Sequence, residues 1–337
     1  MAIFRERKSL KSRLPIIITV AFLIFLSQGC YLLEQAAGQL DLRLNQVAID
    51  EAIHNETNAR IKRLLGEVKP IKRFAETKLY LQPSENYGGY YRTHKSGITF
   101  VLTASRKDEL VPYTWWFPII GRVPYKGFFD KEDALALERK LQKKGYDTWI
   151  FAAPTYSSLG WFKDPITTPM LRKGIYSLAS IIIHEMTHVT LYVENQTDFN
   201  EQLATFVGHQ GAMQYLQYSH REPEFVRRIE AQQKRRLRLW EIIQEYFRLL
   251  QRLYEKKYPL EKTLREREKL FDQLTKEAHR LFPHTTPSRW QFNNARLLQS
   301  KRYKPVSPIL ASLWKEGQGD WQKFWPLVRR YVEKQKW

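Results

Sequence analysis

The sequence predicts an α+β fold: a small mixed sheet beside a pair of site-bearing helices, with an antiparallel helical hairpin attached. Three observations lead there. Two runs rich in β-branched and aromatic residues, Ile98–Ala104 and Thr148–Ala153, flank a helix-period stretch over 130–144. His184-Glu185-Met186-Thr187-His188 lies within an apolar segment of helical character. Beyond residue 222, apolar residues step by 3 and 4 on both sides of Pro259.

Taken in order, the chain opens on a basic head. Residues 1–13 carry Arg5, Arg7, Lys8, Lys11 and Arg13 against Glu6, and Pro15–Leu26 is uninterrupted apolar. Ser27-Gln28-Gly29-Cys30 follows. A basic head, a short apolar run and a small residue describe an export signal over 1–29. A Cys directly after the small residue resembles a bacterial lipobox, with Cys30 lipidated, although Ser27 stands where Leu is usual. An uncleaved anchor helix is the other reading, since 15–33 is near the length that spans a bilayer. Either way the expected location is the bacterial cell envelope, outside the cytoplasm and tethered to membrane lipid. Cys30 is the single cysteine among 337 residues, which excludes an intrachain disulfide. Without 1–29, which hold five bases and one acid, 308 residues remain and the net charge falls from +20 to +16. The 10 Trp, 18 Tyr and 18 Phe argue for a packed body over a disordered one.

Region 30–85 reads as helical, with Leu40, Leu44, Val47 and Ile53 and then Ile61, Leu64 and Leu65 near helical spacing. Ile71, Phe74 and Leu79 mark one more short helix. Region 86–221 is the expected core. Its strand signal runs from Gly88 to Ala104. The segment 113–129, broken by Pro118 and Pro124, reads as loop or edge. The helix over 130–144 ends at Gly145. Thr168-Pro169 reads as the start of the next helix. Region 222–282 is the basic hairpin. Leu237, Trp240, Ile243, Phe247, Leu250 and Tyr254 form one stripe; Leu260, Leu264, Phe271, Leu274, Ala278 and Leu281 form the other. Its Lys234-Arg235-Arg236 and Arg238 suit a solvated face or contact with anionic headgroups. Nucleic acid is not an expected partner of an exported chain. Region 283–337 adds Trp-rich short helices that close the body.

The chemistry centres on the His-Glu-x-x-His stretch. Residues i and i+4 of a helix lie about 40° apart around its axis, so His184 and His188 share a face and can bind one zinc ion. Glu185 sits beside that face and suits a general base for a bound water. A third ligand is needed. Glu201, 13 positions after His188, stands where a second helix returns, and Asn200 reads as its N-cap. Glu201, Ala204, Gly208, Ala212 and Tyr215 fall on one stripe whose small residues permit close helix approach. The three-histidine variant is excluded, because it needs Gly and His where Leu191 and Glu194 stand.

His184-Glu185-Met186-Thr187-His188 together with Phe199-Asn200-Glu201-Gln202-Leu203-Ala204-Thr205-Phe206 resembles the bacterial "putative aminopeptidase" family of zincin metallopeptidases. Cys30–Leu40, Pro124–Phe129, Tyr156–Pro165 and Asn293-Asn294-Ala295 resemble it too, so the similarity covers nearly all of the chain from Cys30 onward. The resemblance implies a zincin-like domain, one zinc on His184, His188 and Glu201, Glu185 as catalytic base, and a peptide or protein substrate. Relatives often carry a further acid where this chain has Val207-Gly208-His209. An oxyanion-stabilising group is also needed, and His209, Tyr215, Tyr192, Tyr156 and Tyr303 are the candidates. Asn293 and Asn294 stand out by resemblance alone, with helix capping as their other reading. Ser157–Phe162 is placed to form a substrate rim or a packed loop. An exopeptidase would need an acid for the free amine, and Glu194 and Asp198 are available. A rival function is a non-catalytic, membrane-tethered envelope protein that uses the same scaffold for binding.

Overall fold

The computed structural model describes residues 31, 33–117, 121–155, 163–302 and 307–335. Two units arise from the contacts, residues 1–46 and 47–337. Within the first, residues 33–44 are helical, with Leu33, Leu40 and Leu44 more than half exposed. The rest of this section concerns the second unit. It combines many helices with small sheets, as an α+β class requires. Among the described residues no helix is long and apolar enough to cross a membrane.

Three helices lead, α1 (Ile49–Asn55), α2 (Ala59–Gly66) and α3 (Val68–Lys78). Asn58 caps α2 by accepting from the Arg60 and Ile61 amides. Ile61, Leu64, Leu65, Ile71, Phe74 and Ala75 are spaced at helical period and all are buried. They share one apolar core with the site helices described below.

The strand signal divides in two. Strand β1 (Gly89–Tyr91) and strand β2 (Thr99–Arg106) are separated by a turn. The segment expected to be loop or edge contains three short strands, β3 (Trp115–Phe117), β4 (Gly121–Val123) and β5 (Lys126–Phe128). Prolines 112 and 124 lie outside all three, so no ladder amide is lost. Helix α4 (Lys131–Lys143) is capped by Asp130 and followed by Gly145 at φ +83°, a conformation that favours glycine. Strand β6 (Tyr146–Ala153) pairs antiparallel with β2 along its whole length, from Thr99 opposite Ala153 to Arg106 opposite Tyr146. Strand β5 pairs antiparallel with the other edge of β2. A two-residue strand, β7 (Ile166–Thr167), pairs parallel with β1.

Thr168-Pro169 starts only a five-residue helix, α5 (Thr168–Arg172). The chain breaks at Gly174, φ +88°, and the histidine helix α6 (Ile175–Thr190) starts after it. Helix α7 (Thr197–Tyr218) returns against α6. The hairpin is α8 (Pro223–Glu255) and α9 (Leu260–Leu281), turned at Pro259. Its buried stripe is Leu239, Ile242, Ile243, Phe247, Leu250 and Leu253 from α8 against Phe271, Leu274 and Ala278 from α9. Ile243, Phe247 and Leu250 of the expected α8 stripe lie in it and Tyr254 packs against it, but Leu239, Ile242 and Leu253 stand in place of Leu237 and Trp240, and Leu260 is exposed at the start of α9. A buried ion pair, Arg267 to Asp147 at 2.8 Å, ties α9 to β6. Helices α10 (Asn294–Arg302), α11 (Pro308–Glu316) and α12 (Trp321–Lys334) complete the chain. Trp321, Phe324, Trp325 and Val328 of α12 join the core around α6 and α7.

Candidate metal centre

Leu178, Ala179, Ile182, Ile183 and Met186 bury one side of α6 completely or nearly so. That burial outweighs the modest helix propensity of three successive isoleucines. It also fixes the rotation of the helix, leaving His184 and His188 on its half-buried edge. Helix α7 approaches closely because Gly208 lies flat against α6. A Cβ at this position would meet the Ser180 carbonyl oxygen at 2.7 Å and the His184 Cβ at 3.3 Å.

Asn200 is not the N-cap of α7. The helix begins at Thr197, and Asn200 is buried inside its first turns. Its amide group clasps the incoming loop: Oδ1 accepts from the Val193 N–H at 2.9 Å, and Nδ2 donates to the Val193 carbonyl at 2.7 Å. This pair of hydrogen bonds to one loop residue ties the start of α7 to the loop, and the next residue is Glu201.

Glu201 meets both histidines. Its Oε2 is 3.5 Å from His184 Nε2 and its Oε1 is 3.4 Å from His188 Nε2. The two imidazole nitrogens are 3.2 Å apart. Four ligands around a tetrahedral zinc at about 2.05 Å are separated by about 3.3 Å. The donor set and its spacing therefore suit zinc, and three protein ligands leave one position for water or substrate. The site is reachable from solvent: the Glu201 side chain is 58% exposed, against 23% and 21% for His184 and His188. Hydrogen bonds from His184 and then His188 hold the Glu201 carboxyl well below its ordinary range, against an opposing contribution from burial. The carboxylate is thus ionised at neutral pH, as a metal ligand must be.

A family model described as "putative aminopeptidase" matches residues 30–336. The chain belongs to this family. No curated protein and no solved structure matches it. Membership carries a peptidase-like function in the coarse sense of the family's description.

The other residues singled out in the sequence fall in different places. Among the described candidates Tyr192 lies near the cluster, its ring centroid 6.4 Å from that of His188 and its side chain largely exposed. Tyr215 lies 14 positions beyond Glu201 on α7, about 21 Å along the helix. It is buried, its hydroxyl donates to Glu67, and Phe74 packs edge-on against its ring. It is therefore committed to the core. Asn294 is fully buried, donating to the Arg106 and Glu109 carbonyls and accepting from Tyr254. Asn293 caps α10 by accepting from the Arg296 amide. The capping reading describes Asn293 alone, whereas the Asn294 side chain is a buried joint between α10, the β2 end and α8. His209 bonds Tyr176, Nδ1 to hydroxyl, at 2.6 Å. Cys30, Tyr156, Tyr303, the 1–29 leader and the Ser157–Phe162 rim lie outside the described residues.

Sequence reasoning missed Tyr87. It is buried at φ +65°, and burial raises its hydroxyl pKa well above normal, with the charges of Glu185 and Asp164 adding to the shift. A tyrosine within electrostatic reach of Glu185 but 98 positions earlier leaves no local signal in the chain. Tyr176 lies eight residues before His184, about 12 Å along the helix and about 80° around it, and bonds His209.

Proposed function

We propose that this chain is a zinc-dependent peptidase that hydrolyses peptide bonds outside the cytoplasm. The observation that carries the reading is the convergence of His184, His188 and Glu201 with edges of 3.2–3.5 Å, with Glu185 in the helix position directly after His184. His184, His188 and Glu201 would hold the ion. Bound there, zinc would supply Lewis acidity, polarising the peptide carbonyl and lowering the pKa of a coordinated water to about 7. Glu185 takes the proton from the attacking water and delivers it to the leaving amine. Tyr192, exposed at the edge of the site with its ring 6.4 Å from that of His188, is the described candidate we assign as donor to the oxyanion.

Glu185→Gln tests the assignment. The variant should keep its zinc and lose hydrolysis of a mixed peptide library by a factor of a thousand or more. Full activity in that variant excludes this mechanism, and zinc retained with no activity even in the wild type favours the binding-protein reading instead. The envelope location rests on the basic head, the apolar run and Gly29-Cys30. Metabolic labelling with a fatty acid should mark the wild type and leave Cys30→Ala unmarked; equal labelling of both would rule the lipid anchor out.

A further inference from the structure

A cleft of about 360 Å³ shares no lining residue with the metal centre. Its walls are the link between α1 and α2, the turn after β1, and α5. The size is that of a small-ligand site.

The lining holds more hydrogen-bond donors than acceptors. Arg60, Arg92 and Arg172 face one acid, Glu56, which gives a formal charge of +2 with His94 neutral. Glu56 is buried and both its oxygens are taken: Oε1 accepts from the Asn58 N–H at 2.8 Å and Oε2 from Arg92 at 2.9 Å. Arg172 donates to the Thr93, His94 and Lys95 carbonyls at 3.2, 3.4 and 2.8 Å. Arg60 donates to the Arg172 carbonyl at 3.2 Å. These bonds fix both guanidinium groups at the cleft, and among the described residues neither forms an ion pair. Asn58 Oδ1 is occupied by the Arg60 and Ile61 amides, so its Nδ2 hydrogens meet no acceptor among the described residues.

Exposed guanidinium groups alone call for no ligand, because water solvates them. The buried hydroxyl pair of the cleft is different. Tyr90 is 1% exposed and Thr168 7%, their hydroxyl oxygens are 2.8 Å apart, and the Thr93 N–H donates to Thr168 Oγ1 at 3.0 Å. Burial raises the Tyr90 pKa, so its proton is kept at neutral pH. The pair carries two hydroxyl hydrogens and spends one on itself. The other meets no acceptor among the described residues, and a buried donor left so is costly.

We infer that this cleft binds a phosphate monoester, whose phosphoryl oxygens accept from Arg60, Arg172, Asn58 Nδ2 and the spare hydroxyl of the Tyr90–Thr168 pair. At neutral pH such a group carries nearly two negative charges and its oxygens act as strong acceptors, which matches a lining of surplus donors at +2; a carboxylate brings one charge. The organic part of the ester lies against Ile61. The same chemistry is offered by a soluble phosphate ester and by a lipid headgroup. The inference does not depend on the peptidase reading.

The test titrates the full chain in nonionic detergent with glycerol 3-phosphate, acetate and succinate by calorimetry, and repeats it with mixed micelles carrying phosphatidate or phosphatidylglycerol. At least one phosphomonoester probe, glycerol 3-phosphate or phosphatidate, should bind at least tenfold more tightly than acetate, succinate and the diester phosphatidylglycerol. Arg60→Gln, on an exposed side chain, should weaken that binding at least tenfold. Asn58→Asp keeps the oxygen that caps α2 but replaces a donor with an acceptor; it should weaken binding as much while leaving the urea midpoint unchanged or higher. Arg60-dependent binding of glycerol 3-phosphate alone identifies a soluble ester as the source, and of phosphatidate alone a lipid headgroup; binding of both means that the phosphoryl group itself is read. No binding of either, succinate or phosphatidylglycerol bound as tightly, or binding that neither substitution weakens overturns the inference.

Discussion

Gly208→Ala probes the joint that holds the site together. The added Cβ would lie 2.7 Å from the Ser180 carbonyl oxygen, 3.3 Å from His184 Cβ and 3.4 Å from His184 N. Relieving the first contact to about 3.3 Å requires the helices to part locally by about 0.6 Å. Alanine itself favours the helix by about 1 kcal/mol over glycine, whereas overpacking of a close contact costs about 1–3 kcal/mol. The net loss of stability should be about 0–2 kcal/mol, measured by urea unfolding in a chelator. The loss at the metal should be larger in relative terms, because metal–ligand distances tolerate only about 0.2 Å. Zinc affinity, measured by competition with a chromophoric chelator, should fall at least tenfold, about 1.4 kcal/mol. Gly66→Ala supplies the control: nothing lies within 4 Å of its added Cβ, and the same substitution there should leave zinc affinity unchanged and stability equal or higher. A Gly208→Ala protein that matches the wild type in zinc affinity would refute the claim that close approach of α7 to α6 positions Glu201.

Tyr215→Phe removes the hydroxyl that donates to Glu67 and should cost about 1–3 kcal/mol in urea unfolding, with zinc affinity unchanged. Arg267→Met strands the buried Asp147 carboxylate, which also accepts from the Asn294 amide, and should cost about 3–5 kcal/mol; a loss under 1 kcal/mol would mean the pair adds little. Burial holds the His209 pKa below its ordinary value, so the unfolded chain takes up a proton here before the folded one does. Stability from this group is complete above about pH 6.5 and declines as the pH falls from there towards the folded value. Urea midpoints taken between pH 8 and pH 5 should therefore fall less steeply in His209→Gln than in the wild type, and parallel curves would contradict the assignment.

What could be read from the chain follows the range of the interactions involved. The histidine pair is a local pattern: four residues on a helix fix the face, and apolar neighbours fix the helix. The hairpin is local too, because Pro259 interrupts an otherwise continuous helical period; Ile243, Phe247 and Leu250 carry the α8 stripe as expected, with Leu239 and Ile242 buried in place of Leu237 and Trp240. Asn200 shows the limit of local reading. A short polar residue before an acid resembles an N-cap, yet here the same amide serves a loop seven residues back in the chain. The break at Gly174 is masked in the sequence because Thr168-Pro169 is by itself a sound helix start. Tyr215 bound to Glu67 and Arg267 bound to Asp147 are partners separated by 148 and 120 positions, and no periodicity carries such pairings.

Metal content of the purified soluble body, determined by mass spectrometry on wild type and His188→Ala side by side, tests the central assignment most directly. One zinc per wild-type chain and none in His188→Ala is the predicted result. A wild type that binds no zinc, or a His188→Ala protein that binds as much as the wild type, would contradict it.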